Sequence, residues 1–150
     1  MLKDSRIGII LNNLGPNQKA YFAIRQANLL HSKYDVSLFI ENMMPVCADV
    51  ISPILSLNEI WPFRGTLIAT DIEGALRLSK LTNPSRKIFY VYDLEWIRNK
   101  TNFIYNVNAF QDEKITLVAR SAEHASLIER YSNRKVEKIN PYFDLEEMIC

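Results

Sequence analysis

Residues 115–145 of this 150-residue chain read ITLVARSAEHASLIERYSNRKVEKINPYFDL. The run Ile115–Ala119 is apolar and rich in β-branched residues, as a buried strand is. Ser121 stands where the N-cap of a helix is expected, and one face of that helix is formed by His124, Leu127, Ile128 and Tyr131. A second strand then runs into the segment Ile139–Asp144. The stretch predicts strand, helix, strand and a short exit segment, which is the repeating unit of a parallel sheet.

The same alternation extends back to the N-terminus. Further strands are predicted at Ile7–Leu11, Val36–Ile40, Thr66–Ala69 and Ile88–Tyr92. Helices are predicted over Gln18–Ser32, from a Thr70–Glu73 capping box to about Leu81, and over Phe103–Phe110. Only short helical turns are expected in Glu41–Gly65, because prolines interrupt it. The pattern predicts one domain, residues 1–150, of the α/β class: a doubly wound, Rossmann-like and mostly parallel sheet with helices on both faces.

Composition narrows the classes of function. Eighteen basic and seventeen acidic residues leave a net charge of +1, which is too small a field to favour nucleic acid as a partner. Two cysteines, Cys47 and Cys150, are expected as free thiols in a reduced compartment. The N-terminal apolar run of about five residues is too short for a signal peptide or a membrane span. We therefore expect a cytoplasmic protein.

Several site classes are disfavoured by their missing motifs. The chain has no Cys and His spacing typical of a metal site, no GxxxxGK[ST] phosphate-binding loop and no GxSxG nucleophile turn. The turn Asn12–Pro16 contains one glycine, whereas a dinucleotide fingerprint needs two or three. Neither a metal ion nor a cofactor is expected.

Candidate binding residues are those at the carboxyl ends of the predicted strands, where open parallel sheets bind their ligands. The candidate ligand-binding residues are Asn12, Asn13, Gly15, Thr70, Asp71, Tyr92, Arg120 and Ser121. Asp93 and Glu95 are the candidate acids or bases, while His31 and His124 are expected to be surface or packing residues. Five aromatic residues are either a sugar or base platform or part of the core: Trp61, Phe63, Tyr90, Tyr92 and Trp96.

Several of these stretches resemble the N-terminal, acceptor-side domain of GT-B glycosyltransferases, in the large retaining family (family 4-like) that uses nucleotide sugars. Arg120–Glu123 is similar to the strand-to-helix corner of that domain, and Ile139–Asp144 to the segment that crosses to the second domain. Two further matches are Ile68–Asp71 and Tyr90–Trp96. In the family these strands end in His-Asp, and here Thr70 and Tyr92 stand in place of the histidines.

The resemblance implies a half-domain, acceptor-side or partner-dependent in sugar transfer, which lacks the donor domain and is inactive as an isolated chain. The alternative is a non-catalytic interaction or regulatory protein that retains the fold, and a third interpretation is a small flavodoxin-like enzyme or nucleotide-binding domain. Either of the first two predicts a protein partner or a second copy at the strand carboxyl ends, with the Pro141–Cys150 tail beside it. A sugar or nucleotide sugar is the ligand class that the resemblance suggests.

Overall fold

A computed structural model describes residues 6–98 and 102–150, which form one parallel sheet covered by helices. The strands are β1 (Arg6–Leu11), β2 (Asp35–Ile40), β3 (Ile54–Ser56), β4 (Thr66–Ala69), β5 (Arg86–Val91), β6 (Ile115–Ala119) and β7 (Lys138–Ile139). The helices are α1 (Gln18–Leu30), α2 (Ile72–Ser79), α3 (Glu95–Arg98), α4 (Phe103–Asn108), α5 (Ala122–Ser132) and α6 (Leu145–Ile149), with a 3₁₀ turn at Leu57–Ile60. No helix in these two ranges has the length and apolarity needed to cross a membrane.

The seven strands lie in the order β3-β2-β1-β4-β5-β6-β7, and every neighbouring pair is parallel. From β1 the chain adds strands outwards to β3, then returns to the other side of β1 and adds strands from β4 to β7. Ile7 therefore pairs with Val36 of β2 on one side and with Thr66 of β4 on the other. The predicted α/β, Rossmann-like fold is confirmed, with the direction of strand addition switching between β1 and β4.

Successive residues of the central strands point into two separate cores, because side chains alternate across a sheet. In β5, Ile88 and Tyr90 pack with α1 and α6, whereas Phe89 and Val91 pack with α2 and α5. Both faces of the sheet are thus covered, which explains why the strands are continuous apolar runs.

The Glu41–Gly65 stretch contains a strand that is not predicted from the sequence. β3 is only three residues long and pairs with β2 alone, at the edge of the sheet. The 3₁₀ turn that follows it has a capping box from Ser56 and Glu59, so the expected short helical turn is present.

The prediction that Thr70 begins a capping box at the start of α2 is wrong. The N-cap of α2 is Asp71, whose Oδ1 accepts the Gly74 N–H at 2.6 Å. The Thr70 hydroxyl instead donates to the Ile10 carbonyl at 2.8 Å, and Thr70 is buried between β1 and β4. A carboxylate is also the better acceptor at the positive end of a helix. Thr70 therefore joins two strands, and the next residue opens the helix.

The predicted exit segment does not leave the domain. Asn140 is buried after β7, where its side chain accepts the Asp144 N–H and donates to the Asp144 carbonyl, both at 2.8 Å. Phe143 takes a positive φ of 56° in this turn. Asp144 then caps α6 by accepting the Glu147 N–H at 3.0 Å. Residues 140–144 therefore form a turn that directs the chain back towards the domain.

Helix α6 packs against α1 on the sheet. Leu145 and Met148 are fully buried, and the Leu145 N–H donates to the Gln26 side chain of α1 at 3.2 Å. The Arg86 guanidinium, at the start of β5, donates to the Ile149 carbonyl. The tail therefore runs from the carboxyl end of β7 to the amino end of β5. The expectation that the whole tail lies beside the strand carboxyl ends is wrong, because its apolar residues are drawn into the α1 core.

Candidate functional site

The candidate site lies where the strand order reverses, at the carboxyl ends of β1 and β4. We call the loops that follow β1, β2, β4, β5 and β6 the carboxyl edge; they span residues 12–17, 41–47, 70–71, 92–94 and 120–121. Because the connections from β1 and β4 diverge in opposite directions, an open α/β sheet has its crevice at this point.

The turn after β1 is held by its own asparagines. Asn13 Oδ1 accepts the Gly15 N–H at 2.9 Å, and Asn17 caps α1 by accepting the Ala20 N–H at 2.8 Å. A Cβ on the buried Gly15 would lie 3.0 Å from Asn13 Oδ1. Three candidate ligand-binding residues lie in this turn. Asn12 is exposed, whereas Asn13 and Gly15 are joined by the hydrogen bond that stabilises the turn.

A charged cluster joins α1, the start of α2 and α3. Lys19 Nζ lies 4.0 Å from Asp71 Oδ2 and donates to the Thr70 carbonyl at 3.5 Å. Glu95 Oε2 accepts the Ile72 N–H at 2.9 Å, at the same end of α2. We call this set the Lys19–Asp71–Glu95 cluster. Lys19 is not singled out by the sequence, because its place depends on β1 and β4 being neighbours.

The environment of the Glu95 carboxyl group favours its neutral form. Burial raises its pKa, and the charges of Asp71 and Asp93 act in the same direction. The Ile72 N–H and the Lys19 ammonium oppose this rise. A partly buried carboxyl group with a raised pKa can act as a proton donor to a bound ligand.

The other predicted residues hold the end of the sheet together. The Arg120 guanidinium carbon lies 4.2 Å from the centroid of the Tyr92 ring, and Arg120 donates to the Tyr92 carbonyl at 3.4 Å. The Tyr92 hydroxyl donates to Gln18 of α1. Ser121 caps α5 by accepting the His124 N–H at 3.1 Å, as predicted. Asp93 lies between Tyr92 and α3 and is partly buried.

The five aromatic residues do not form a common platform. Phe63 is buried on Phe39, with ring centroids 5.5 Å apart, and Tyr90 is buried on Phe143 at 4.9 Å. Trp96 stacks on Tyr131 of α5 at 4.4 Å. The platform interpretation is wrong, because these residues lie on different faces of the sheet, and Trp96 packs into the α2–α5 core.

Exposed apolar side chains flank the polar cluster on two sides. We call them the apolar rim, which consists of Tyr21, Met43, Met44 and Val46 on one side and Ile97, Phe103, Ile104 and Tyr105 on the other. Met43 is 77% and Ile104 75% exposed. The Cys47 N–H donates to the Leu14 carbonyl at 2.8 Å, which holds the first group beside the β1 turn. Nearby, Pro16, Gln18, Tyr21 and Cys47 line a cavity of about 310 Å³.

The second group of the rim lies beside the charged cluster. Burial raises the pKa of the Tyr105 hydroxyl, and the nearby charges of Glu73, Asp71 and Glu95 raise it further. The sequence does not identify the rim. Met43, Met44 and Val46 lie in an irregular loop, where hydrophobic periodicity gives no signal. The other rim residues lie in α1, α3 and α4, and which apolar side chains of these helices stay exposed depends on how the helices pack.

Comparisons with protein-family models, curated proteins and solved structures found no match. In residues 6–98 and 102–150, no group of three or more His, Cys, Asp or Glu side chains is placed to hold a metal ion.

Proposed function

We propose that this chain is an interaction domain with a glycosyltransferase-like N-domain fold, and that its carboxyl edge docks onto a second protein domain. The observation that carries the proposal is the apolar rim. Groups of exposed apolar residues bordered by polar residues mark protein interaction sites, and Met and Tyr are enriched among the residues that form interfaces.

The internal contacts of the candidate residues support binding over catalysis. The side chains of three candidate residues already make hydrogen bonds within the domain. The Thr70 hydroxyl donates to the Ile10 carbonyl, Asp71 accepts the Gly74 N–H, and Ser121 accepts the His124 N–H. Side chains committed to capping and strand junctions are poorly placed to bond a substrate as well. The resemblance to an acceptor-side half identifies the expected partner as a donor-binding domain.

Partner-dependent sugar transfer is the second candidate function, favoured by Glu95. Its carboxyl group has a raised pKa and lies beside the apolar rim. A docked domain would bury this edge further, which would strengthen the preference for a protonated carboxyl group. In that case Glu95 would be the group that donates a proton to the sugar or its leaving group.

Site-specific photo-crosslinking in the native host tests the docking proposal. Benzoylphenylalanine would replace Met43 or Ile104 in the rim, and Leu29, which is 67% exposed on α1, provides the control position. We expect the two rim positions to give an adduct with the same protein, identified by mass spectrometry, and the Leu29 position to give none. Equal adducts at Leu29, or no adduct at either rim position, would contradict the proposal.

Activity assays on the purified complex of this chain with the crosslinked protein then distinguish the two candidate functions. If the complex transfers sugar from a nucleotide sugar and Glu95→Gln abolishes the turnover, sugar transfer is supported. If the complex forms and no turnover is measured, the chain is a non-catalytic interaction domain.

A further inference from the structure

A second cavity lies at the opposite end of the sheet from the carboxyl edge. Its volume is about 530 Å³, and it opens between the last turn of α2 and the starts of β5 and β6. Its lining includes Ser79, Thr82, Ser85, Lys87, Asp112 and Lys114. We call it the amino-edge cavity. It is separate from the proposed docking surface and does not depend on it.

Lys87 is the unusual residue of this cavity, because it lies on a central strand and faces a core. In β5 its side chain points to the same face as Phe89 and Val91. Its partners in the two neighbouring strands are Leu67 and Ile115, which are both fully buried. Apolar side chains normally occupy such positions.

The Lys87 ammonium has no carboxylate partner in the described part of the chain. None of the five ion pairs found there, within 4.0 Å, involves Lys87 or Lys114. Lys87 is nevertheless partly buried. The Lys87 ammonium is therefore not neutralised by a carboxylate of the described chain, and its charge is available to an anion from outside the chain.

The neighbouring groups also favour an anion. Lys87 and Lys114 contribute two positive charges to the lining, against the single carboxylate of Asp112. Arg86 also borders the cavity, but its guanidinium donates to the Ile149 carbonyl on the other face of the sheet. Asp112 Oδ1 accepts the Lys114 N–H at 3.0 Å, so one of its oxygens is engaged by the turn. Thr82 and Ser85 complete the polar lining with hydroxyl groups that can donate to an oxyanion, whereas the Ser79 hydroxyl donates to the Leu76 carbonyl at 2.7 Å.

We propose that the amino-edge cavity binds the phosphate group of a small phosphorylated molecule. Ammonium and hydroxyl donors around a cavity suit the oxygens of a phosphate, and 530 Å³ is in the range of small-ligand sites. A nucleic acid is disfavoured, because the chain has a net charge of only +1 and the cations are confined to one cavity.

Calorimetric titration of the purified chain tests the proposal, with inorganic phosphate, pyrophosphate, glucose 6-phosphate and, as a negative ligand, glucose. We expect the phosphorylated probes to bind, and Lys87→Gln and Lys114→Gln each to weaken binding about tenfold, since each removes a charged hydrogen bond. Lys87→Arg should retain most of the affinity. Lys80→Gln, an exposed lysine just after α2 that is not in the lining, should bind as wild type does.

Stability measurements separate a ligand-binding lysine from a structural one. We expect Lys87→Met to bind the phosphorylated probes about tenfold more weakly than wild type, as Lys87→Gln does, and to be at least as stable to urea as wild type, because it removes a cation that has no ion-pair partner among the described residues and keeps an apolar stem. The proposal would be overturned if no phosphorylated probe bound, if Lys80→Gln lost as much affinity as Lys87→Gln, or if a short oligonucleotide bound more tightly than glucose 6-phosphate. A large loss of stability in Lys87→Met would show that the lysine is structural and also overturn it.

Discussion

At the scale of single residues, several side chains near the carboxyl ends of the strands have structural roles. Tyr90 is fully buried, and its hydroxyl donates to the Asn140 carbonyl at 2.6 Å. Burial raises the pKa of that hydroxyl to about 12, so it stays a donor at neutral pH. Asn140 in turn fixes the Asp144 backbone. The Ile139–Asp144 segment, which carries the family resemblance, therefore has a structural role of its own.

Glu95 should make the stability of the domain depend on pH. Its pKa is raised in the folded state mainly by burial, so the folded state holds this proton more tightly than the unfolded state. The associated stability is present below the unfolded pKa and is lost as the pH rises through the folded pKa. Glu95→Gln keeps an oxygen acceptor for the Ile72 N–H and removes the titration. We expect the free energy of unfolding of the variant to rise relative to that of wild type as the pH increases above 4.5, the ordinary Glu pKa.

Urea unfolding at several pH values measures this difference. Glu113→Gln, at an exposed position in the turn before β6, is the matched control and should show no such trend. A constant difference between Glu95→Gln and wild type would mean that burial does not control the Glu95 carboxyl group.

At the scale of elements, α6 completes the core on the α1 face of the sheet. Met148 is fully buried and packs in the same core as Phe143 and Leu145. We expect Met148→Ala to lower the free energy of unfolding by about 2–5 kcal/mol, as other large-to-small core changes do. Glu147→Ala in the same helix is exposed and should change it by about 0.5 kcal/mol or less. Urea titrations of both variants decide the matter, and equal effects would show that α6 is not part of the core.

Strong periodic elements could be predicted from the sequence, and short or context-dependent ones could not. The strands Thr66–Ala69 and Ile115–Ala119 have their predicted bounds, because continuous apolar runs identify buried strands. β3 has three residues and α6 has five, which is too short for a periodicity to emerge. The α2 cap was assigned one residue early, since Thr70 and Asp71 are both good N-caps and only the burial of Thr70 separates them.

The site could be predicted less well than the fold, because it depends on which strands are neighbours. A sequence predicts that β1 and β4 are strands, and it does not show that they lie side by side. Lys19 meets Asp71 only through that pairing. The residues at strand ends were located correctly, whereas their internal partners became visible only in the folded chain.

At the scale of the whole molecule, the two ends of the sheet differ in chemistry. The carboxyl edge combines the apolar rim with the Lys19–Asp71–Glu95 cluster, and the opposite end carries the cationic amino-edge cavity. If both proposals hold, this small domain would bring a protein partner and a small ligand together through two separate surfaces.

We expect the isolated chain to show no turnover of common nucleotide sugars. Thr70 and Tyr92 stand where the resembled family has histidines, and both hydroxyls are engaged within the domain, with Ile10 and with Gln18. Without a docked partner, the Glu95 carboxyl group remains bonded to the Ile72 N–H at an open edge. A catalytic group needs a bound and oriented substrate, which an open edge does not provide. Incubation with UDP-glucose or GDP-mannose should therefore release nucleotide at the rate of the buffer alone. Release above that rate, if it disappears in Asp93→Ala while the variant remains folded, would contradict this expectation and make the isolated chain an enzyme.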